Sequence, residues 1–493
     1  MFSWSKSDAM GLLGILFALG LLVWLAYRGW SVLLLAPAAA LVAAAISREP
    51  LLAHWTQTFM GSAANFLAQF FPLFLLGALF GKLMDDSGSV AAISRFMTER
   101  MGARRAILAV VLAGALVTYG GVSLFVAFFV LAPMAQTLFR AADIPRRLMP
   151  ASIALGTSTF TMTAFPGTPA IQNAIPMPFF GTTPFAAPGL GVIASAVMLG
   201  FGLWWLTRSE IAARRAGEGN GGSVDIAPSA VADDPMIREM ATVAREFDPA
   251  EIDHGSHGVA AVPIGVAVLP LAVVVSVNLL MSLVVLPRLD FSFLAEPRWG
   301  GTSLSAVAGV WSVAVALATA ILVLILANRA RLPKLRESMD AGANASVLPV
   351  LSVASLVGFG AVVAMLPAFA TVRDWVLSIG GGPLVSLAVA TNVLAALTGS
   401  ASGGMTIALD TLGDTYMRIA AEQGIDPALM HRVAAIGSGT LDSLPHNGAV
   451  VTLLAVCGST HRESYLDIVM VGIVGAIVAL VAVIALGSTF GSF

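Results

Sequence analysis

Two short runs of glycine, proline and hydroxyl residues interrupt long apolar segments of this chain and contain most of the side chains suited to binding a ligand. The first run, residues 156–169, reads GTSTFTMTAFPGTP, and the second, residues 437–448, reads GSGTLDSLPHNG. Glycine and proline interrupt a helix and free backbone amides and carbonyls for other partners. Amides at the start of the next helix, with the positive end of its dipole, favour a carboxylate, whereas freed carbonyls favour a cation. The runs therefore predict an anion-binding site that hydroxyl groups help to line.

Asp442 and His446 are the only acid and the only histidine within either run. Their i, i+4 spacing would place them on one face of a helix, although Pro445 lies between them. Histidine titrates near neutral pH, and an aspartate does so where burial disfavours its charge, so the pair is suited to taking up a proton. The alternative is an Asp–His hydrogen bond that only holds the interrupted segment in shape. A hydrolase with Ser443 as nucleophile and His446 as base is not predicted, because no third residue is placed to orient the base.

The composition sets the class of protein in which these runs occur. Of the 493 residues, 11% are charged and 58% are hydrophobic. Soluble proteins carry about 25% charged residues and disordered chains are rich in charge, so both classes are excluded. The net charge of −2 offers no basic surface for nucleic acid, and the single cysteine, Cys457, allows neither an intrachain disulfide nor a cysteine metal cluster. The composition predicts an all-α polytopic membrane protein with no cofactor and no metal site.

Ten segments are long and apolar enough to cross a bilayer, which takes about 20 residues. They are 9–27, 30–47, 60–82, 148–179, 185–206, 259–286, 301–328, 344–367, 430–457 and 466–488. The fourth and the ninth contain the two interruptions.

Two further apolar stretches, 105–140 and 383–418, have 36 residues each, too few for two crossings and a loop. Small polar residues break both stretches at the centre, and such backbone is tolerated at membrane depth only inside protein or beside a cavity. Both are interpreted as re-entrant hairpins. Short interfacial helices at 87–102 and 371–380 are predicted to lead into them.

The basic residues divide unevenly between the two sides of this arrangement. One side carries 19 of the 26 lysines and arginines, and the other side carries 7. Because cytoplasmic loops are enriched in these residues, the first side is predicted to be cytoplasmic, with both termini outside. The acidic, glycine- and alanine-rich stretch 207–258 is then a cytoplasmic linker. His431 and Arg432 fall near the outer end of a crossing and are interpreted as ordinary interfacial charges.

The second half of the chain resembles the first half at an offset of 281 residues. Between 144 and 167, seven of 24 positions are identical at this offset, among them Gly156 and Thr159, which fall on Gly437 and Thr440. Each half has five crossings, so the second copy must enter the membrane inverted, which is typical of secondary transporters. A channel does not require interrupted helices in both halves, so the repeat argues against a channel. The predicted domains are a first inverted repeat at 1–206, the linker at 207–258 and a second inverted repeat at 259–493.

In this arrangement the two interruptions face the two hairpin tips and form one pseudo-symmetric site near the middle of the membrane. The alternative for any one hydroxyl is a hydrogen bond to its own helix or to a neighbouring helix. No lysine or arginine lies inside an interruption or a tip, so a monoanion fits better than a tricarboxylate, which would need a fixed cation. The proton that drives transport is predicted to bind to Asp442 and His446. The candidate substrate-binding residues are Gly120, Gly121, Ser123, Thr157, Ser158, Thr159, Thr161, Ser400, Ser402, Gly403, Ser438, Thr440, His446, Asn447 and Gly448.

The stretch 437–468, GSGTLDSLPHNGAVVTLLAVCGSTHRESYLDI, resembles the gluconate permease (GntP) family, in particular its branch for D-3-hydroxybutyrate and related carboxylates. Gly167-Thr168-Pro169 and Asn173 are similar to a Gly-Thr-Pro-Pro-Asn pattern of the wider ion transporter superfamily of anion symporters.

This resemblance implies a scaffold domain, a mobile transport domain, a homodimer and elevator-type alternating access. It also implies proton-coupled import of a small hydroxycarboxylate, such as 3-hydroxybutyrate or gluconate, across the bacterial inner membrane. Neither hairpin tip has the Ser-Asn-Thr pattern associated with sodium and carboxylate sites in the dicarboxylate branch, which argues against sodium coupling. A sodium-coupled di- or tricarboxylate symporter is nevertheless the leading alternative, followed by an anion channel.

Overall fold

The computed structural model describes residues 6–26, 28, 30–220, 262–445 and 447–493, and the regular elements in those ranges are all helices. The main helices of the first half are α1 (Lys6–Ala26), α2 (Val32–Ile46), α3 (Met60–Asp86), α4 (Ser89–Met101), α5 (Ala106–Tyr119), α6 (Leu124–Ala141), α7 (Leu148–Thr157), α8 (Phe160–Thr163), α9 (Ile171–Ala174), α10 (Pro176–Phe180) and α11 (Pro188–Arg215). Those of the second half are α12 (Ile264–Leu280), α13 (Leu304–Ala327), α14 (Leu335–Ala345), α15 (Val347–Met365), α16 (Phe369–Leu377), α17 (Pro383–Thr398), α18 (Ala401–Gln423), α19 (Pro427–Thr440), α20 (Gly448–Val456), α21 (His461–Ile468) and α22 (Gly475–Phe490). Helix α11 occupies the start of the predicted linker, and most of the rest of 207–258 lies outside the described residues.

Long apolar helices form the frame of the molecule, because backbone inside hydrocarbon must satisfy its own hydrogen bonds. In the part of the chain that the structure describes, seven helices are long and apolar enough to cross a membrane. The count rises to eight if the bent pair Ser89–Met101 and Ala103–Tyr119 is one span. Six of the seven coincide with predicted crossings and the seventh is α6, while α1 and α2 contain shorter apolar stretches. The prediction of an all-α polytopic membrane protein is confirmed.

The apolar stretches with polar centres each form two helices joined by a tight turn. In the first hairpin, α5 ends at Tyr119 and α6 begins at Leu124. In the second hairpin, α17 ends at Thr398 and α18 begins at Ala401. The predicted interfacial helices correspond to α4 and α16, which precede the two hairpins.

Both interruptions are present as breaks in the helices. The first break separates α7 from α9, with only the four residues of α8 helical between them. The second break separates α19 from α20 and contains one 3-10 turn at Leu441–Ser443. Both helices therefore end inside the two runs identified in the sequence, α7 at Thr157 and α19 at Thr440.

Glycine allows each hairpin to approach the helix that precedes each break. A Cβ on Gly156 of α7 would lie 2.3 Å from the carbonyl oxygen of Val111 on α5. A Cβ on Gly437 of α19 would lie 2.5 Å from Oγ1 of Thr391 on α17. Since real Cβ atoms essentially never come within 3.0 Å of another heavy atom, α7 packs directly on the backbone of α5, and α19 packs on α17 against the Thr391 hydroxyl.

The two halves of the chain share one core rather than folding separately. Helix α3 packs along α15 and helix α11 packs along α22, so corresponding helices of the two halves contact one another. Helix α2 also packs on α15, while α13 packs on α3. One continuous cluster of buried apolar side chains runs through both halves, and a smaller cluster lies under α1 and α2. This shared core brings the two breaks close together.

Candidate functional site

A cavity of about 90 Å³ lies where the tip of the first hairpin meets the first break and helix α3. One water molecule needs only about 10–15 Å³ of such space, so the cavity is large enough for several waters or a small polar group. Its lining residues within the described part of the chain include no charged side chain. They are Leu73, Phe74, Gly77, Ala78, Thr118, Gly121, Val122, Ser123, Leu124, Met162, Pro169, Ala170, Ile171, Gln172 and Leu317.

The hairpin turn directs the start of α6 to the wall of this cavity. Gly121 has φ = +99°, and a Cβ there would come within 3.0 Å of Pro169, so this position requires glycine. Ser123 then caps α6, its Oγ accepting a hydrogen bond from the backbone N–H of Phe125 at 3.4 Å. Because Ser123 and Leu124 both line the cavity, the positive dipole end of an 18-residue helix borders it. This end of the helix favours an anion.

Gln172 is the most unusual polar residue of the cavity wall. Its side chain is 1% exposed, and neither its Nε2 nor its Oε1 has a hydrogen-bond partner in the protein. Leaving buried polar atoms unpaired costs roughly 1–3 kcal/mol. A primary amide can donate two hydrogen bonds and accept two, so it is suited to a ligand that carries both a carboxylate and a hydroxyl. Gln172 is absent from the predicted site.

Hydrogen bonds hold the hairpin tip against the first break. Thr118 Oγ1 lies 3.2 Å from Thr161 Oγ1 in the first break, and it also donates within its own helix to Gly114 O at 2.8 Å. Tyr119 donates from its hydroxyl to Pro166 O at 2.9 Å. The predicted meeting of tip and break is therefore present in the first half, and these bonds support one wall of the cavity.

The second half uses the start of its hairpin helix differently. Asp442 Oδ1 accepts a hydrogen bond from the N–H of Ala401, the first residue of α18, at 3.0 Å. It also accepts one from Nδ2 of Asn447 at 2.7 Å, and the same Nδ2 donates to Gly399 O at 2.9 Å. Asp442 is 2% exposed. The start of α18 thus binds a carboxylate of the protein itself, whereas the start of α6 borders a cavity.

The remaining predicted residues of the second half surround this contact. Ser400 caps α18, its Oγ accepting from Gly403 N at 3.1 Å and lying 3.2 Å from Ser402 Oγ. Gly448 is the first residue of α20. His446 lies outside the described residues.

Most of the predicted hydroxyl groups within the two breaks donate to carbonyls of α7 or α19, the helices that lead into the breaks. These bonds satisfy carbonyls near the ends of α7 and α19, which is the structural alternative that the sequence left open. Thr159 and Thr440, which are 281 residues apart, make the same bond. The contacts are Thr157 Oγ1 to Ile153 O (2.8 Å) and to Ser158 Oγ (3.2 Å), Thr159 Oγ1 to Leu155 O (2.7 Å), Thr161 Oγ1 to Gly156 O (3.1 Å), Ser438 Oγ to Ala435 O (2.9 Å) and Thr440 Oγ1 to Ile436 O (2.9 Å).

The interpretation of His431 and Arg432 as interfacial charges is wrong. Both side chains are 0% exposed, because the start of α19 packs against the first break and the loop that follows it. Arg432 Nη1 donates to Thr163 O at 3.2 Å and to Asn173 Oδ1 at 3.2 Å. Its Nε and Nη2 donate to Ala186 O. An arginine of the second half therefore supports the first break, although none lies inside a break in sequence.

The two breaks lie side by side. A Cβ on Gly439 in the second half would lie 2.6 Å from Cγ2 of Thr163 in the first.

The sequence does not single out Gln172, because one glutamine in an apolar segment has no distinctive spacing. It missed the burial of Arg432 because hydropathy does not show which helices cover a residue near the end of a crossing.

A helical membrane protein with two interrupted helices, two helical hairpins and a cavity beside one of the breaks has the construction of a secondary transporter. The chain belongs to the GntP family of permeases. The GntP family permease model matches residues 10–178, which lie in the first half, whereas the resemblance seen in the sequence is most specific at 437–468. Membership in a family of transporters also agrees with the prediction that the chain is not an enzyme.

Two relatives by sequence and one solved structure illustrate this membership. The chain is 41% identical over 490 residues to the "Uncharacterized transporter YxjC" of Bacillus subtilis (strain 168), covering 98% of this chain and 100% of that protein. It is 32% identical over 121 residues to the "High-affinity gluconate transporter" of Escherichia coli (strain K12), covering 24% of this chain and 26% of that one. The fold is similar, at a TM-score of 0.52 and 16% identity, to Neisseria gonorrhoeae MtrF, described as illuminating a class of antimetabolite efflux pumps. That match covers 90% of this chain and 85% of MtrF and concerns the fold alone.

Proposed function

We propose that this protein imports a small hydroxycarboxylate, such as gluconate or 3-hydroxybutyrate, across the bacterial inner membrane by proton symport. The observation that carries the proposal is the cavity at the start of α6, where the amide of Gln172 is buried without a partner. A helix N-terminus favours a carboxylate, and the amide together with Thr118 and Ser123 suits hydroxyl groups. The partial match to a protein named as a gluconate transporter supports the same class of substrate.

The mechanism we propose is elevator-type alternating access by two inverted repeats, within a homodimer. The matching order of helices in the two halves supports the repeat, as do the paired contacts at Gly156 and Gly437. The contacts between corresponding helices, α3 with α15 and α11 with α22, agree with a pseudo-two-fold axis between the halves.

Asp442 is the residue to which we assign the coupled proton, with His446 as its partner. An ionised Asp442 accepts hydrogen bonds from the start of α18 and from Asn447. Protonation would weaken both bonds, because the dipole end and the amide donors favour the charged carboxylate. The second hairpin would then be freer to move relative to the second break, which links proton binding to a conformational step.

The orientation we propose has the linker in the cytoplasm and both termini outside. At one end of the molecule, Arg147 and Trp205 both donate to Asp467, at 2.7 and 2.9 Å. At the other end, Gly189 N donates to Phe493 O at 2.7 Å. The charge-based topology likewise places Arg147, Trp205 and Asp467 near one side of the membrane and Gly189 and Phe493 near the other. Lys82 and Arg432 are fully buried, and without them the basic residues divide 18 to 6, so the bias persists.

Counterflow in proteoliposomes tests the proposal. Vesicles containing the purified full chain and unlabelled gluconate or 3-hydroxybutyrate should accumulate the labelled compound transiently, and an inward proton gradient should drive net uptake. A sodium gradient should not drive it. Exchange of neither compound would overturn the substrate class, and leak without counterflow would indicate a channel.

A further inference from the structure

The guanidinium of Arg432 is a fully buried charge directly behind the cavity wall. Its acceptors are the carbonyl oxygens of Thr163 and Ala186 and the side-chain oxygen of Asn173. Gly191 of α11 makes room for it, because a Cβ there would lie 3.3 Å from Nε of Arg432 and 2.6 Å from Ala164 O. Glycine at this position therefore lets α11 approach both the first break and the guanidinium.

The charge of Arg432 is not matched by an acid nearby. Among the described residues, no carboxylate oxygen lies within 4.0 Å of its guanidinium nitrogens, and its partners are all uncharged oxygens. By contrast Lys82, which is also fully buried, has Asp86 at 3.1 Å. Burying a charge without a counter-ion is costly, and ionisable groups at membrane depth are functional candidates for that reason.

Arg432 is linked to the cavity through adjacent residues of the first break. Asn173, which it contacts, follows Gln172, and Thr163, which it contacts, follows Met162. Gln172 and Met162 both line the cavity. Consecutive Cα atoms are about 3.8 Å apart, so the guanidinium lies roughly 10 Å from the backbone of the cavity wall. At that distance and an effective dielectric of about 20, a unit charge changes the affinity for an anion on the order of ten-fold.

We propose that Arg432 is the fixed positive charge that makes this cavity prefer an anion over a neutral molecule of the same shape. It acts through space and by holding Asn173 and Thr163 in position, so it is a specificity-determining residue rather than a direct ligand. The inference rests on the proposed transport of a carboxylate. A fixed cation outside the breaks thus adds to the helix dipoles and hydroxyl groups that are predicted to hold the anion.

Competition in the counterflow assay tests this role. The full chain is reconstituted with whichever of labelled gluconate or 3-hydroxybutyrate it exchanges, and inhibition by the unlabelled acid is compared with inhibition by its neutral amide. Arg432→Gln should lower the preference for the acid about ten-fold, whereas Arg432→Lys should keep it within about three-fold. His431→Gln is the matched control, since His431 is equally buried and also contacts Asn173 Oδ1, at 3.1 Å. It should leave the preference unchanged.

A wild-type preference in Arg432→Gln would overturn the proposal and leave Arg432 a purely structural residue. If that variant does not fold, Asn173→Asp serves instead, because it places a carboxylate against Arg432 with little change in volume. It should also reduce the preference about ten-fold, and an unchanged preference there would equally overturn the proposal. Failure of the wild-type protein to exchange either acid would count against the proposed function, which is a different outcome.

Discussion

At the scale of single residues, burial and pairing separate the side chains available to a ligand from those that complete the fold. The hydroxyls of the breaks donate to carbonyls of the helices that lead into them, and Asp442 accepts from the first N–H of α18. Gln172 has no such partner and lines the cavity. A ligand that pairs with Gln172 would recover the free energy that this unpaired amide costs the empty protein.

Gln172→Leu tests this interpretation. We expect the variant to be as stable as the wild type or more stable, by roughly 1–2 kcal/mol, because two unpaired buried polar atoms are removed. The KM for the carboxylate should rise at least about ten-fold, measured by counterflow alongside thermal unfolding in detergent. Thr452→Val is the control, since Thr452 is buried without a partner but does not line the cavity. It should change stability only, and equal loss of transport in both variants would contradict the role of Gln172.

Asp442→Asn tests the assignment of the proton. We expect counterflow of the carboxylate to persist while uptake no longer responds to a pH gradient, because the side chain keeps its shape but cannot ionise. Asp410→Asn on α18, the helix whose first N–H Asp442 accepts, is the control, since Asp410 is exposed, and it should keep a wild-type response. Proton-driven uptake by Asp442→Asn would show that another group carries the proton.

At the scale of elements, each hairpin packs closely against the helix leading into a break, at a position where the helix carries glycine. Helix α5 reaches α7 at Gly156, and helix α17 reaches α19 at Gly437. Each contact fixes the distance between a hairpin and the helix that leads into a break. The site geometry is therefore sensitive to a single methyl group at either position.

Gly156→Ala should lower stability by roughly 1–3 kcal/mol, because the new Cβ meets the rigid carbonyl of Val111 rather than a flexible side chain. Gly437→Ala should cost less, since the nearest atom is the Thr391 hydroxyl. Unfolding of the purified variants in detergent measures both changes. Gly200→Ala on α11 has open space around its Cβ, so it should be neutral or stabilising by up to about 1 kcal/mol. Equal stability of all three variants would refute the close packing.

At the scale of the whole molecule, contacts between the two halves bring loops from both halves together at each of two ends. Arg147, Trp205 and Asp467 meet at one end, and Gly189 meets the C-terminal Phe493 at the other. The predicted topology assigns the first end to the cytoplasm and the second to the outside.

Reporter fusions test this orientation. Alkaline phosphatase joined to the C-terminus through a flexible linker should be active, and green fluorescent protein at the same place should be dark. The same reporters inserted within 207–258 should give the reverse pattern. Fluorescence at both positions would mean an even number of crossings between them, contrary to the predicted topology.

Sequence by itself determined the membrane class, the positions of both breaks and both hairpin turns, and the resemblance to the GntP family. Hydropathy, glycine and proline act locally, so these features can be seen along the chain. Tertiary structure decided that a cavity opens at the start of α6, that Asp442 occupies the start of α18, and that Arg432 is buried behind the first break. Those outcomes depend on which distant helices meet, because the partners of a buried polar group are set by its neighbours in space. The repeat at an offset of 281 residues predicts two similar hairpin tips. It does not show that the protein's own Asp442 occupies one of them while a cavity borders the other.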